Sequence, residues 1–280
     1  MEHYQKIERS IITTYRKKLW VPFIKAVKEF HLINEGDKIC VCISGGKDSM
    51  LMAKLIEEIK KHGDCNFEAH YVIMDPGYNE DNLNKTLENC KIMNINATVF
   101  KSDIFEVVNR VSDNPCYLCA RMRRGCLYKK AQELGCNKIA LGHHFDDVIE
   151  TELMGMFYAG QIQTMVPKLK SKNFLNMEVI RPLYYIREHD INFWKKYNDL
   201  EFIQCACRFT ENASEDENLS KRKEIKNLIK ELGKTNKFLE NNIYKSLYNI
   251  NLNMVLGFIK NKEKFNYIDL YENGEFDDEI

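Results

Sequence analysis

The chain has 280 residues, 44% hydrophobic and 11% aromatic, which suits one substantial core, or one core with a small appended domain, in an ordinary soluble globular protein. Apolar runs such as Ile39 to Ile43 fall far short of the roughly 20 residues that cross a bilayer, and the charged N-terminus lacks a secretory pattern, so no membrane association is expected and the expected location is the cytoplasm. Formal net charge is zero, from 41 basic and 41 acidic residues, but six acids and no Lys or Arg lie from Ile268 onward, leaving a body of 41 basic against 35 acidic residues that is compatible with RNA.

Residues 1 to 35 read as a helix packed ahead of the first strand, with Trp20 and Phe23 as its core contacts. From about residue 38 to 160, short apolar β-branched runs alternate with longer amphipathic ones, the pattern of strand–helix repeats around a parallel sheet. Strands are expected at Lys38 to Ser44, Glu68 to Met74, Ala97 to Lys101 and Lys138 to Leu141. Helices are expected at Asp48 to His62, Glu80 to Met93, Leu118 to Leu134 and Asp146 to Tyr158. Gln161 to Asn176 is basic and polar and reads as a loop bordering the site, before a short apolar run at Val179 to Tyr185. Residues 187 to 198 and 216 to 260 are helical by pattern, the latter split near Gly233. The expected fold class is α/β, a parallel sheet sandwiched by helices, with an N-terminal extension at 1–35, a nucleotide-binding domain at 36–207 and a helical region with an acidic tail at 208–280.

The turn Ser44-Gly45-Gly46-Lys47-Asp48-Ser49 follows an apolar strand and opens a helix, where free backbone N–H groups gather around an anion. Two glycines permit close approach to phosphate oxygens, Lys47 adds a mobile positive charge, and the Ser44 and Ser49 hydroxyls can donate. The spacing is not that of a Walker loop. A tight turn with Asp48 as helix cap is the alternative. Asp75 ends the second strand at the carboxyl edge, where open α/β sheets bind ligands; a nucleotide contact and a plain turn with Pro76-Gly77 both fit it.

Gly142-His143-His144-Phe145-Asp146-Asp147 follows the fourth strand and faces the same edge. Asp146 or Asp147 could hold Mg²⁺ between phosphate oxygens, or one of them could cap the helix, with Glu150 three residues beyond Asp147. No further His at useful spacing supports a zinc site at His143 and His144.

Six of the ten cysteines, Cys40, Cys42, Cys65, Cys90, Cys126 and Cys136, lie in apolar or strand-like segments and read as small core residues. Cys116, Cys119, Cys205 and Cys207 stand apart as candidate ligands, with reduced thiols expected rather than disulfides. Arg121, Arg123, Arg124, Lys129 and Lys130 follow the first pair, as either an RNA-contacting or a solvated helix face; Lys168, Lys170 and Lys172 add charge in the later loop.

The Ser-Gly-Gly-Lys-Asp-Ser turn resembles the PP-loop of the N-type ATP pyrophosphatases, which implies that residues Ser44 to Ser49 hold ATP phosphates and that Cys42 and Ile43 lie along the adenosine. With Cys116-x-x-Cys119-x-Arg121-x-Arg123-Arg124, Gly142-His143-His144-x-Asp146-Asp147, Met156-Phe157-Tyr158-x-Gly160, Pro167-Lys168-Leu169 and Arg181-Pro182-Leu183, residues 38 to 207 resemble the tRNA 2-thiocytidine synthetase family. The resemblance implies a 4Fe-4S cluster on Cys116, Cys119 and one later cysteine. Cys205 is favoured and Cys207 is the alternative, because this chain has Cys-x-Cys where the family more often has Cys-x-x-Cys. Four cysteines on one ion would instead make a closed structural zinc site. The nucleotide-binding set is then Ser44, Gly45, Gly46, Lys47, Asp48, Ser49, Asp75, Gly142, His143, Asp146 and Asp147, and the catalytic set Cys116, Cys119, Asp48 and Lys47. RNA contact falls to Arg121, Arg123, Arg124, Lys129, Lys130 and Lys168.

The implied reaction is ATP- and Mg²⁺-dependent adenylation of the C2 oxygen of a tRNA cytidine in the anticodon loop, followed by replacement with sulfur. The implied partners are tRNA and a sulfide or persulfide donor such as a cysteine desulfurase, with a homodimer as one admissible assembly. The alternatives are thiolation of another tRNA base or a small molecule, and a non-catalytic iron-sulfur or nucleotide sensor.

Overall fold

The computed structural model describes residues 1–77, 80–102, 104, 115–203 and 217–274, with 115–117, 120 and 217–220 as backbone alone. They form two compact units, Met1–Ile225 and Lys226–Ile280. The first holds a six-stranded sheet of β1 (Lys38–Ile43), β2 (Glu68–Asp75), β3 (Ala97–Lys101), β4 (Lys138–Ala140), β5 (Lys168–Lys170) and β6 (Glu178–Ile180). Their order is β3-β2-β1-β4-β6-β5, parallel throughout except that β5 runs antiparallel to β6. The α/β expectation is borne out, and the apolar run Ile39–Ile43 is buried along its length because helices cover both faces of a central parallel strand.

The helices of this unit are α1 (His3–Ile12), α2 (Val21–Glu29), α3 (Lys47–His62), α4 (Glu80–Ile92), α5 (Pro115–Glu133), α6 (Phe145–Ala159) and α7 (Glu188–Tyr197). The next, α8 (Glu217–Gly233), starts in it and continues into the second unit. Helix α3 is central: Met50, Leu51, Met52, Ala53, Leu55 and Ile56 are all fully buried. Beneath β1 and β4, Cys40, Cys42, Val72, Tyr128, Ala131, Cys136, Ile139, Met177 and Val179 form one cluster. Cys40, Cys42, Cys90 and Cys136 are buried as expected of core thiols, whereas Cys65 and Cys126 are half-buried. Burial pushes the Cys90 thiol up to about 11, so it stays protonated and unreactive.

Four expectations are corrected. Residues 1–35 are not one helix: α1 stops at Thr13-Thr14, a π-helical turn spans Arg16–Trp20, and α2 begins with Pro22 in its first turn. β-Branched Thr13 and Thr14 weaken the first helix, and Pro22 suits the start of a new one. Phe23 is fully buried, but Trp20 is only half-buried and Leu19 takes the core position. The 161–176 segment contains the edge strand β5, whose Lys168 and Lys170 protect an exposed sheet edge. In the second unit α9 (Leu239–Ser246) is followed by a hairpin of β7 (Gly257–Lys260) and β8 (Glu263–Asn266) and by α10 (Tyr267–Glu272), so the helical reading fails at 257–260. Asn261 and Lys262 turn the chain at φ 53° and 72°, the left-handed pair a two-residue hairpin requires, and Phe258 stacks on Phe265 at 4.8 Å.

Two buried ion pairs fix the first unit. Lys54 is fully buried on α3 and reaches Glu8 of α1 at 2.8 Å and the Met93 carbonyl at 2.9 Å. Lys138 at the start of β4 is buried against Asp37, which also accepts from Asn34 N–H at 2.7 Å and Asn137 Nδ2 at 2.8 Å. Asp37→Ala leaves the buried Lys138 ammonium only the neutral Leu32 carbonyl at 3.0 Å and is expected to cost about 3–5 kcal/mol in urea denaturation. Lys138→Met should cost less, because Asp37 keeps its two amide donors; equal losses would show that the charge itself is not the cause.

Candidate active site

The strand order reverses between β1 and β4, since β2 and β3 continue on one side of β1 while β4 and β6 extend on the other. A crevice opens at the carboxyl ends of strands flanking such a point, and both loops singled out in the sequence leave the sheet there. After β1, Gly45 turns at φ +82° and Gly46 is the N-cap of α3, with no side chain capping it. The first N–H groups of α3 are therefore not taken by a cap, and the helix dipole adds partial positive charge. Ser49 Oγ accepts from Ser44 N–H at 3.1 Å and donates to Gly46 O at 2.9 Å, which closes the turn internally. A Cβ on Gly45 would lie 2.4 Å from Thr86 Oγ1 and 2.6 Å from Ile203 Cδ1.

The loop after β4 lies directly on this turn. A Cβ on Gly142 would stand 3.0 Å from Ser49 N and 3.1 Å from the Asp48 carbonyl carbon. His144 is the N-cap of α6: Asp147 Oδ2 accepts from His144 N–H at 3.0 Å, and His144 Nδ1 accepts from Asp147 N–H at 3.4 Å. The reciprocal box thus pairs Asp147 with His144 rather than with Glu150. Asp146 accepts from Arg187 Nη2 at 3.1 Å and from Glu188 N–H at 2.7 Å. Arg222 lies 3.5 Å from Asp147 and 3.4 Å from Glu150.

Lys47 Nζ sits 3.2 Å from both Asp48 and Glu188. Burial pushes the Asp48 carboxyl up against the opposing pull of Lys47 and His144. His143 is pushed down to about 4 by burial, against the nearby Asp147 charge, and its Nδ1 is buried with no hydrogen bond, so the ring is neutral. Among the described residues no group of three His, Cys, Asp or Glu side chains gathers at metal-binding distance.

Between the two loops lies a cavity of about 260 Å³ lined by Cys42, Ile43, Ser44, Asp48, Ser49, Met74, Arg123, Leu127, Leu141, Gly142 and His143. Two larger clefts open elsewhere, at α1 and at the amino edge of the sheet, away from both loops. Cys116 and Cys119 fall in the first turns of α5; Cys119 is buried against Met74 and Ile104, beside the same cavity. Cys205 and Cys207 lie outside the described residues. Asp75 is buried but does not line the cavity; its Oδ1 accepts from Gly77 N–H at 2.9 Å, the geometry of the turn alternative. Of the predicted RNA-contacting cations, Arg121, Arg124 and Lys129 are exposed, and Arg123 reaches the cavity instead. Lys130 pairs with Glu133 at 3.2 Å and Lys168 with Glu178 at 3.0 Å. Sequence reasoning missed Arg187, Glu188 and Arg222, which belong to no local motif and reach the site only through the fold.

Gly45→Ala and Gly36→Ala both place a side chain at positive φ, but nothing lies within 4 Å of a Cβ at Gly36. Each should lose about 1–3 kcal/mol in urea unfolding from the backbone alone, and Gly45→Ala should exceed Gly36→Ala by at least ~1 kcal/mol from overpacking. Equal losses would mean that Thr86 and Ile203 yield freely.

Residues 19–232 match the family model for the PP-loop domain. The chain is 36% identical over 256 residues to a tRNA-cytidine(32) 2-sulfurtransferase of Polaromonas naphthalenivorans, covering 89% of this chain and 78% of that protein. It is 37% identical over 241 residues to the protein of that name from Coxiella burnetii, with coverage of 84% and 90%. Among solved structures, the U34-tRNA thiolase NcsA from Methanococcus maripaludis with its 4Fe-4S cluster aligns at a TM-score of 0.64 and 23% identity, over 82% of this chain and 78% of that one, a likeness of fold. With a PP-loop turn at the β1/β4 switch, and 36–37% identity to these proteins across most of its length, the chain belongs to the tRNA-cytidine(32) 2-sulfurtransferase family.

Proposed function

We propose that the protein is an ATP-dependent sulfurtransferase that replaces the C2 oxygen of a cytidine in tRNA, in the anticodon loop, with sulfur. The observation that carries this reading is convergence: the phosphate turn, the His143–Asp147 loop and the cysteine-bearing helix α5 meet at one cavity. A phosphate site alone would serve many reactions. Joined to thiol ligands, it serves activation of an oxygen followed by its exchange for sulfur.

The turn fits a triphosphate. Uncapped N–H groups of α3, the Lys47 ammonium and the Ser44 and Ser49 hydroxyls supply donors, and Gly45 and Gly46 leave room for phosphate oxygens to approach. Cys42 and Ile43, which line the cavity, would lie along the adenosine. Phosphate oxygens replace Asp48 and Glu188 as partners of Lys47. Asp146, Asp147 and Asp48, once phosphate oxygens take Lys47, would supply carboxylates to hold Mg²⁺. The described part of the thiol set also fits a cluster: Cys119 is buried in the first turns of α5, at the positive end of the helix dipole, and Arg123 of the same helix lines the cavity. Cys116, Cys119 and Cys205, with Cys207 as alternative, would hold a 4Fe-4S cluster whose chemistry is to carry sulfide on its open iron.

The C2 oxygen attacks the α-phosphorus, the bond to the β-phosphoryl group breaks, and pyrophosphate leaves against Lys47 and the α3 N-terminus. Hydrosulfide adds to C2 and loses its proton, and AMP departs carrying the former C2 oxygen. The hydrosulfide comes from a sulfide donor, or from a persulfide donor such as a cysteine desulfurase together with a thiol reductant whose two electrons take the outer sulfur to sulfide.

Anaerobically reconstituted protein supplied with ATP, Mg²⁺, sulfide and tRNA is expected to yield 2-thiocytidine by nucleoside mass spectrometry, and Cys116→Ala to yield none. A different thiolated base would keep the chemistry and change the substrate; no thiolated base would overturn the reading. Lys47→Ala should lower tRNA-dependent pyrophosphate release by about 10²- to 10³-fold, the cost of removing a preorganised electrostatic partner.

A further inference from the structure

A row of exposed rings runs away from the site along α7. His189, Phe193 and Tyr197 recur every fourth residue and so share one face; Phe193 and Tyr197 are 59% and 57% exposed, and His189 meets Phe193 edge-on at 6.2 Å. These rings are not surplus core, because the opposite face of α7 already buries Ile191 and Trp194. Tyr15 extends the row: its ring packs edge-on against Tyr197 at 5.6 Å, and its hydroxyl donates to the Phe193 carbonyl at 3.1 Å.

Beside the rings stand three cations and one acid, Asp190, which lies 3.3 Å from His189. Arg16, Lys17 and Lys18 follow Tyr15 in the π-helical turn and are all exposed. Lys18 reaches Asp190 at 3.5 Å, but among the described residues Arg16 and Lys17 have no ion pair. Residues 1–28 contain seven Lys and Arg against two Glu, and one of those, Glu8, is committed to Lys54 and Lys61. The row also begins at the phosphate turn, since α7 opens with Glu188, which contacts both Lys47 and Asp146. At 1.5 Å per residue it extends roughly 12 Å outward from His189 to Tyr197.

We propose that the Tyr15, His189, Phe193 and Tyr197 face, with Arg16 and Lys17, is the platform for unpaired nucleotides of the RNA substrate. The rings stack on bases neighbouring the target, and the two cations meet the phosphates between them. Rings alone would suit a protein partner, but unpaired guanidinium and ammonium groups beside them select a polyanion. The proposal rests on the tRNA reading above and gives its substrate a docking surface.

Fluorescence anisotropy on the full chain, with a tRNA transcript and with a single-stranded anticodon-loop oligonucleotide, tests it. Phe193→Ala with Tyr197→Ala is expected to weaken oligonucleotide binding by roughly 10- to 100-fold, while Phe193→Tyr with Tyr197→Phe retains it and all variants keep the parent melting temperature. Arg16→Glu with Lys17→Glu should reduce the log–log salt slope by roughly 1 to 2. If the parent thiolates tRNA and these variants bind like it, the platform is wrong and the enzymatic reading stands; if the parent binds no tRNA, the enzymatic reading falls with it. Alanine variants that turn a dimer into a monomer without altering RNA affinity would assign the face to a second copy of the chain and overturn the proposal.

Discussion

Everything at the candidate site depends on how closely two backbones approach at the β1/β4 switch. Gly142 leaves a gap in which even one methyl group would press on the Ser49 amide and the Asp48 carbonyl carbon. That contact lays the loop before α6 on the start of α3, so the two loops border one cavity and the uncapped N-terminus of α3 faces it. On the far side of the turn, Gly45 allows Thr86 and Ile203 to lie where a side chain would be. The turn is clamped by backbone and by neighbouring side chains on both sides, which costs it freedom before any ligand arrives and so lowers the ordering cost of binding one.

The charges around this crevice are arranged in matched sets. Lys47 stands between Asp48 and Glu188, Asp146 receives Arg187, and Asp147 and Glu150 receive Arg222. A phosphate group entering the turn competes with carboxylates for Lys47, so part of its attraction is offset by the pairs it breaks. The displaced carboxylates are then left beside the phosphates, where a divalent cation satisfies both. Under the proposed reading, that is the physical reason for a metal ion to accompany the nucleotide.

Much of this was legible in the sequence because the relevant signals are local. A glycine turn between an apolar strand and a helix, or Gly-His-His-Phe-Asp-Asp after the next such strand, announces itself within six residues, and a parallel sheet brings such loops to one edge. The strand Ala97–Lys101 and the first and last turns of α3 fall within a residue of expectation for the same reason. What escaped depends on long-range pairing. Arg187 and Arg222 lie 41 and 75 residues from their carboxylate partners, and only the fold brings them together. Strand β5 is polar, three residues long and bordered by loop-like sequence, so its identity comes from the edge of β6 that it covers. The hairpin of the second unit was hidden by charged residues that suit helix or strand equally, the decision falling to Asn261 and Lys262 at positive φ.

The N-terminal segment, which reads as an accessory, is tied into the same framework. Ser10 of α1 accepts from Trp194 Nε1 and from Asn198 Nδ2, both at 3.1 Å, and Glu8, two residues before it, meets the buried Lys54 of α3. Helix α1 thus braces the end of α7 and the middle of α3, the two helices whose first residues meet at Lys47 and Glu188. A buried hydrogen-bond network of this kind is costly to break, because each donor left behind has no water to turn to. The π-helical turn that presents Arg16 and Lys17 follows directly on α1 and is anchored through Tyr15 to α7. The basic segment is therefore held in register with the phosphate turn by short, directional contacts rather than by a flexible tether, the condition under which a nucleotide docked on the outer face could present its neighbour to the crevice with a fixed geometry.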